Sequence, residues 1–372
     1  MRIAYVVAGG VDRSGRERIT PHLVERLGHL TRMHDVHAIA LRQEPRPGGW
    51  TLAGADVWNV GIRPRRIRAL VHLAREHRAR PFDVVHGFAL VPQGAVAVVG
   101  GWLLGVPVVV EAPGGEFVSL PDIAFGGWRR PTGRMWVRLA ARADALVVHT
   151  EAARRQAEAR GFPARHVPLE VDGRAWPARA PRRRAGGPAR LLWVGTLNRV
   201  KDPGALLDVA DHLRAHGSDW TLDVVGGDVS GGEVSREVRR RGLDHLVRLR
   251  GFLPQDTLLD VVRRSHALLV TSRFEGAHRV VLEAATQGVP AVGFQVGLLD
   301  DWSPDAAVAL PHSAGAVGLA TALAELLGQE DRRLEVATAA ARRVARNDAA
   351  VVSHVWDRLY QEVCGVEDVV HA

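Results

Sequence analysis

Two carboxylates frame one short passage, residues 271–290, which reads TSRFEGAHRVVLEAATQGVP and holds Glu275 and Glu283 with seven residues between them. A carboxylate accepts two hydroxyls side by side, as a diol presents them. Upstream, GTLNRVKDP at 195–203 sets two cations, Arg199 and Lys201, in a loop. Positive charge focused there suits a diphosphate leaving group, because negative charge develops on it as a C–O bond breaks. Lys201 is the only lysine among 49 basic residues. In a chain that otherwise uses arginine, this suggests a need for a compact ammonium on a flexible stem. Each group also has a plainer reading: Glu275 as a charge near a helix start, Glu283 as a solvated helix residue, and the two cations as solvated loop residues.

The pattern around these groups predicts what holds them. ALLV at 267–270 is a short apolar run, the mark of a strand buried on both faces. Residues 272–277 have no period and contain Gly276, so the chain turns there. From Arg279 the apolar residues Val280, Val281, Ala284 and Ala285 recur at helical spacing, and Gly288 followed by Pro290 stops the helix. Ligands bind at the carboxyl end of such a strand, because the next helix offers unpaired N–H groups and a positive dipole. The basic loop has the same setting, with a strand at 191–194, Gly195 for a tight turn and Pro203 in the first turn of a helix.

The Glu-x7-Glu spacing at a strand–loop–helix junction, followed by EAATQGVP, resembles the signature of the family-4 retaining glycosyltransferases, whose fold is GT-B. The resemblance covers nearly the whole chain, closely in the second half and loosely in the first. It implies two Rossmann-like α/β domains facing across a cleft, and transfer of a sugar from a nucleoside-diphosphate sugar to an acceptor hydroxyl with retained configuration. By this resemblance Lys201 and Arg199 neutralise the diphosphate, Glu275 binds hydroxyls of the donor sugar, and Glu283 holds the ribose. Gly276 and the backbone of His278, Arg279 and Val280 take the phosphate. Phe252 and Leu253 belong to the segment that reads the nucleobase, and Gly9 and Gly10 to a first glycine loop near donor and acceptor.

The chain departs from the family at three points. The arginine that follows the phosphate-loop glycine is Thr196 here, with Arg199 as its substitute. Glu-Gly-Phe-Gly has become Glu275-Gly-Ala-His278, which puts a bulky titratable side chain beside the donor or out in solvent. A family histidine of the first domain is replaced by Pro113, in the PGGE turn at 113–116. His86, Gly115 and Glu116 stand at strand ends and are expected to face the acceptor. A solvated loop position is an equal alternative for Glu116.

No Asp-x-Asp pair occurs in the chain. Together with two loop cations and a helix N-terminus, this points to metal-independent chemistry with no cofactor beyond the donor substrate. Walker and Gly-x-Gly-x-x-Gly loops are missing too, which argues against ATPases and dinucleotide oxidoreductases. The net charge of +8 comes from arginine usage, and with 5% aromatic residues and no zinc spacing it does not suggest nucleic-acid binding. Cys364 is the single cysteine, so no intrachain disulfide forms and a reducing, cytoplasmic address fits. The chain enters a strand pattern at once without a signal-peptide layout, and no apolar run spans a bilayer.

Strand-like runs at 36–41, 84–86, 106–110 and 145–149 alternate with helical ones, the first of them over 15–34. The same alternation restarts at 191–194, 222–225, 247–249, 268–270 and 289–293, giving two parallel doubly wound sheets. The predicted organisation is an acceptor-binding domain at 1–172, a Pro/Gly/Arg-rich linker at 173–188 and a donor-binding domain at 189–348. By the resemblance, a final helix at 349–372 crosses back to the first domain. Gly226 and Gly227 follow a strand and are expected to let a ligand come close. Basic amphipathic stretches at 63–80 (Ile67, Leu70, Val71 and Ala74 on one face) and 128–142 either pack on the core or rest on an anionic membrane, which leaves contact with the inner membrane face open. The acceptor is a glycan, a lipid-linked or a small molecule with a free hydroxyl. Two other functions remain open: a nucleotide-sugar epimerase of the same architecture, and a degenerate transferase that only binds a partner.

Overall fold

The alternating runs resolve into two parallel sheets in a computed structural model that describes residues 1–217 and 219–366; the end of the expected final segment, 367–372, lies outside the described residues. The chain divides into two compact units. Residues Met1–Asp172 and those from Asp348 onward form one, and Gly173–Asn347 the other.

The first unit carries eight strands, β1 (Arg2–Val7), β2 (Asp35–Ala40), β3 (Gly48–Leu52), β4 (Ala55–Asn59), β5 (Val84–Gly87), β6 (Val108–Glu111), β7 (Ala145–Val148) and β8 (Arg165–His166). Their order across the sheet is β3-β4-β2-β1-β5-β6-β7-β8, parallel except for β3 against β4. Helices α1 (Pro21–Leu30), α2 (Arg65–Ala79), α3 (Ala95–Leu104), α4 (Pro131–Ala140) and α5 (Glu151–Glu158) connect them. Successive β1 residues serve opposite cores: Ala4 and Val6 join one apolar cluster, Ile3, Tyr5 and Val7 the other. This is what period-2 side chains require of a sheet covered on both faces. The C-terminal helix (Ala349–Val363) lays Val352, Trp356, Leu359 and Tyr360 into the second cluster.

Two local differences from the sequence pattern have physical causes. The first helix begins at Pro21, because Asp12 and Ser14 accept the backbone N–H groups of Ser14 and Glu17 and hold that stretch in turns. The β3–β4 hairpin turns on Ala53 and Gly54, both at positive φ (50° and 83°). Its two-residue loop carries no Asn-Gly or Asp-Gly to announce it.

The second unit has six parallel strands in the order β11-β10-β9-β12-β13-β14. They are β9 (Ala189–Val194), β10 (Trp220–Val225), β11 (Val247–Gly251), β12 (Ala267–Val270), β13 (Ala291–Phe294) and β14 (Val308–Leu310). Their helices are α6 (Pro203–Ala215), α7 (Glu233–Arg240), α8 (Gln255–Arg264), α9 (Arg279–Thr286), α10 (Leu298–Trp302), α11 (Gly315–Gly328) and α12 (Glu330–Val344). Residues 173–188 form no helix or strand and lie against this unit. Arg179 donates its N–H to Thr286 O at 2.7 Å, and Gln287 Nε2 donates to Pro177 O at 2.9 Å.

Candidate active site

In the second unit, the loop after β9 and the loop after β12 are stitched together at the carboxyl edge of the sheet. Arg273 N donates to Val200 O at 2.7 Å, Trp193 Nε1 to Thr271 Oγ1 at 3.0 Å, and Thr271 Oγ1 to Lys201 O at 2.9 Å. Within the first loop Asn198 Oδ1 accepts from the backbone of both Val200 and Lys201 at 3.0 Å. Asp202, in the left-handed region at φ 51°, caps α6 by accepting from Ala205 N. These bonds fix the stem of Lys201 and deliver its ammonium to Glu275, with which it forms an ion pair. Gly226 stands at φ 138°, and a Cβ on it would come 1.9 Å from Gly195 O. The glycine therefore serves the close contact between the ends of β9 and β10.

His278 completes the cluster. It is buried, its Nε2 lies 2.7 Å from Glu275 Oε1, and its Nδ1 has no hydrogen-bond partner among the described residues. Burial pushes the Glu275 carboxyl up, but His278 and Lys201 outweigh it and hold it at about 2. Burial also pushes His278 down, against the pull of Glu275. With the imidazole neutral, Lys201 is the formal countercharge to Glu275. His278 is the N-cap of α9 but does not cap it through its side chain, so the helix start remains an anion-favouring end beside Gly276, Arg279 and Val280. Four residues on, Glu283 is buried and bound by Arg279 Nε at 2.8 Å; burial pushes its carboxyl up while Arg279 opposes.

The other candidates of this unit are more open to solvent. Arg199 is exposed and makes no ion pair among the described residues. Phe252, 82% exposed, and half-buried Leu253 follow β11. Two neighbours went unnoticed in the sequence. Thr271 gives its loop a hydroxyl link, and His312 stacks on Phe294 with Nε2 3.2 Å from Ser272 O. Neither carries a motif signal, since each matters only once the loops are folded together.

In the first unit, Gly9 and Gly10 line a cavity of about 400 Å³ with Arg18, Thr20, Gln43 and Phe88. Gly10 sits at φ 80°, and a Cβ there would meet Thr20 Oγ1 at 2.2 Å. Gln43 Oε1 accepts from Gly10 N at 2.7 Å and Val11 N at 3.0 Å, which sets the shape of the loop. Gly115 and Glu116 line a second cavity of about 250 Å³ with Phe125 and Val137. Glu116 accepts from Gly114 N at 2.9 Å, yet burial pushes its carboxyl up to about 8.

His86 is the one candidate the structure removes. It is 0% exposed, its Nδ1 lies 2.7 Å from Tyr360 OH and its Nε2 3.0 Å from Glu111 Oε1, so no acceptor reaches it. It belongs to a buried polar network. Arg26 binds Glu170 through two bonds (2.6 and 2.9 Å) and also Glu111, to which Tyr5 OH donates at 2.7 Å. His149 Nε2 lies 2.9 Å from the same carboxylate. Burial pushes Glu111 up, but Arg26 and the two histidines hold it well below the usual carboxylate range. Buried charges persist only when paired and hydrogen-bonded, and here the pairing fastens the C-terminal helix to the sheet.

Comparison with known proteins agrees with this layout. Residues 14–170 match the glycosyl transferase 4-like domain, and residues 188–329 match the family described as glycosyl transferases group 1. Glycogen synthase of Mycobacterium tuberculosis is 30% identical over 131 residues, which is 35% of this chain and 31% of that protein. The match spans less than half the length of the curated relatives. Sucrose-phosphate synthase from Thermosynechococcus elongatus superimposes with a TM-score of 0.78 at 18% identity, covering 98% of this chain and 100% of the other. Anabaena HepE in complex with UDP-glucose gives 0.74 at 14%, covering 97% and 100%. At such identities these two structures speak for the fold, while function lies in the site. With one domain matched in each half, the chain belongs to the two-domain glycosyltransferases of the 4-like and group 1 type.

Proposed function

We propose that the protein transfers a sugar from a nucleoside-diphosphate sugar to an acceptor hydroxyl with retention of configuration and without a metal ion. The observation that carries this is the meeting of Lys201, Glu275 and His278 beside the start of α9. In this reading Lys201 neutralises the departing diphosphate, with Arg199 swinging in from solvent, and the N-terminus of α9 takes the place a metal ion would fill. Glu275 positions the donor sugar, and Glu283, held by Arg279, orients the ribose. The bond from the anomeric carbon to the β-phosphate oxygen breaks, and a bond to the acceptor oxygen forms on the same face. The acceptor proton passes to the departing diphosphate. HepE, of the same fold, is solved with UDP-glucose, which supports a nucleotide-sugar donor.

The acceptor, a glycan, a lipid-linked or a small molecule, is assigned to the first unit, with Gly9, Gly10, Gly115 and Glu116 lining its cavities. Peripheral contact with an anionic membrane from the cytoplasmic side belongs to the same proposal. α2 leaves Ile67 and Val71 exposed among arginines, and Trp102, Leu103 and Met135 are exposed in the same unit. No helix among the described residues is long and apolar enough to cross a membrane.

The test is proton NMR of the anomeric signals with α-linked nucleotide sugars and a panel of glycan acceptors. An α-linked product supports the proposal, and a β-linked product contradicts retention. Conversion of the donor sugar with no acceptor present would favour an epimerase instead, and no turnover with any donor a binding protein.

A further inference from the structure

At the opposite edge of the second unit's sheet, before the amino-terminal ends of β12 and β13 and beside the start of β9, lies a cavity of about 330 Å³. It is a strand's length from the loops of the candidate active site, which follow the carboxyl ends of β9 and β12. Its wall includes the segment that joins the two units. Arginine is abundant in this chain and by itself signifies little; the arrangement of these side chains is another matter.

Arg333 is buried, and its guanidinium is committed to Glu330 (2.7 and 2.9 Å) and to the carbonyl of Arg182. It is a fixed wall. Arg182 donates to Arg263 O at 2.9 Å, and Arg263 to Gln287 Oε1 at 3.2 Å. Arg190 and Arg264 are exposed, and their guanidiniums meet no acceptor among the described residues. His266 is half-buried between them. Its Nδ1 accepts from the backbone N–H of Arg190 at 3.0 Å, so in the neutral ring the proton resides on Nε2. Burial, then Arg184, Arg333 and Arg190, push His266 down to about 4, so at neutral pH it offers that one N–H. No carboxylate lines the cavity among the described residues. The lining is therefore rich in donors and positive charge, with unspent guanidinium forks whose geometry matches a tetrahedral oxyanion.

We propose that this cavity binds a phosphate group, gripped by Arg190 and Arg264 and hydrogen-bonded by Nε2 of His266. The phosphate belongs either to a free phosphate compound or to a phospholipid headgroup. The site is independent of the donor site and stands whether or not the chain transfers sugar.

The experiment titrates inorganic pyrophosphate into the full chain by calorimetry at 150 mM salt (about physiological screening). Lys201→Ala serves as the background, because pyrophosphate would also suit the active-site loops. One equivalent is expected to bind with sub-millimolar affinity, and Arg190→Gln with Arg264→Gln to weaken it tenfold or more. Arg236→Gln with Arg248→Gln, the same charge removed elsewhere on the unit, is expected to leave it unchanged. Absence of binding, an affinity unmoved by the first pair, or equal loss with the second pair would overturn the proposal. A parallel arm measures sedimentation with phosphatidylglycerol vesicles. Loss of vesicle binding in the Arg190/Arg264 pair assigns a lipid headgroup; weakened pyrophosphate binding with unchanged vesicle binding assigns a free phosphate.

Discussion

Glu116 is a carboxyl whose surroundings reverse its usual charge. Half-buried beside a small cavity and supported by backbone N–H groups, it is pushed up to about 8 from an ordinary 4.5 by loss of solvent. Between those values the folded chain holds a proton there that the unfolded chain has released. Stability from this group is therefore highest below 4.5 and falls as pH rises through 8. Glu116→Gln is expected to flatten that decline. Urea midpoints at several pH values across the window check it, and equal slopes for both proteins would contradict it. At this scale the sequence was most legible where one residue type carried the message. Lys201, alone among arginines, and Glu275 with Glu283 at their spacing were readable, and they do lie in adjoining or following elements. That Lys201 closes on Glu275 was not readable, because it depends on hydrogen bonds such as Thr271 to Lys201, between two loops 70 residues apart in the chain. His86 was misread, since a strand end gives no sign that the C-terminal helix will cover it.

Elements show the same limit. Strong runs such as ALLV at 267–270 mark β12 outright, whereas β3, β8 and β14 at or near the sheet edges have weak patterns. α2 was read with Ile67, Leu70, Val71 and Ala74 on one apolar face, for the core or for a membrane, and the residues it buries are Ala69 and Leu73. With Ala69 and Leu73 turned to the core, Ile67 (62% exposed) and Val71 (44%) face outward. Ile67→Asp with Val71→Asp is expected to cut binding to phosphatidylglycerol vesicles tenfold or more in a flotation assay, with the circular dichroism spectrum unchanged. Undiminished binding would count against membrane contact through this face. The C-terminal helix rests on Trp356, 1% exposed, its ring 4.9 Å from the Arg26 guanidinium carbon. Trp356→Ala is expected to cost about 3–5 kcal/mol in chemical denaturation. A loss under about 1 kcal/mol would mean the helix does not hold its unit together.

For the whole molecule, the doubly wound alternation was readable because both sheets are buried on two faces and most of their inner strands are plain apolar runs. The Pro/Gly/Arg-rich stretch at 173–188 was read as a linker; it lies along the second unit, which was not readable because its bonds to Thr286 and Gln287 leave no local pattern. The central claim is that the second unit holds a nucleoside diphosphate through Lys201 and its partners. Calorimetric titration of UDP, GDP and ADP, with and without EDTA, tests it before any acceptor is known. One nucleotide is expected to bind, to bind as well in EDTA, and to lose about 10–100-fold in affinity with Lys201→Ala, the cost of removing one charge-assisted contact to a phosphate. No binding at millimolar concentration, or an affinity indifferent to Lys201, would contradict the account.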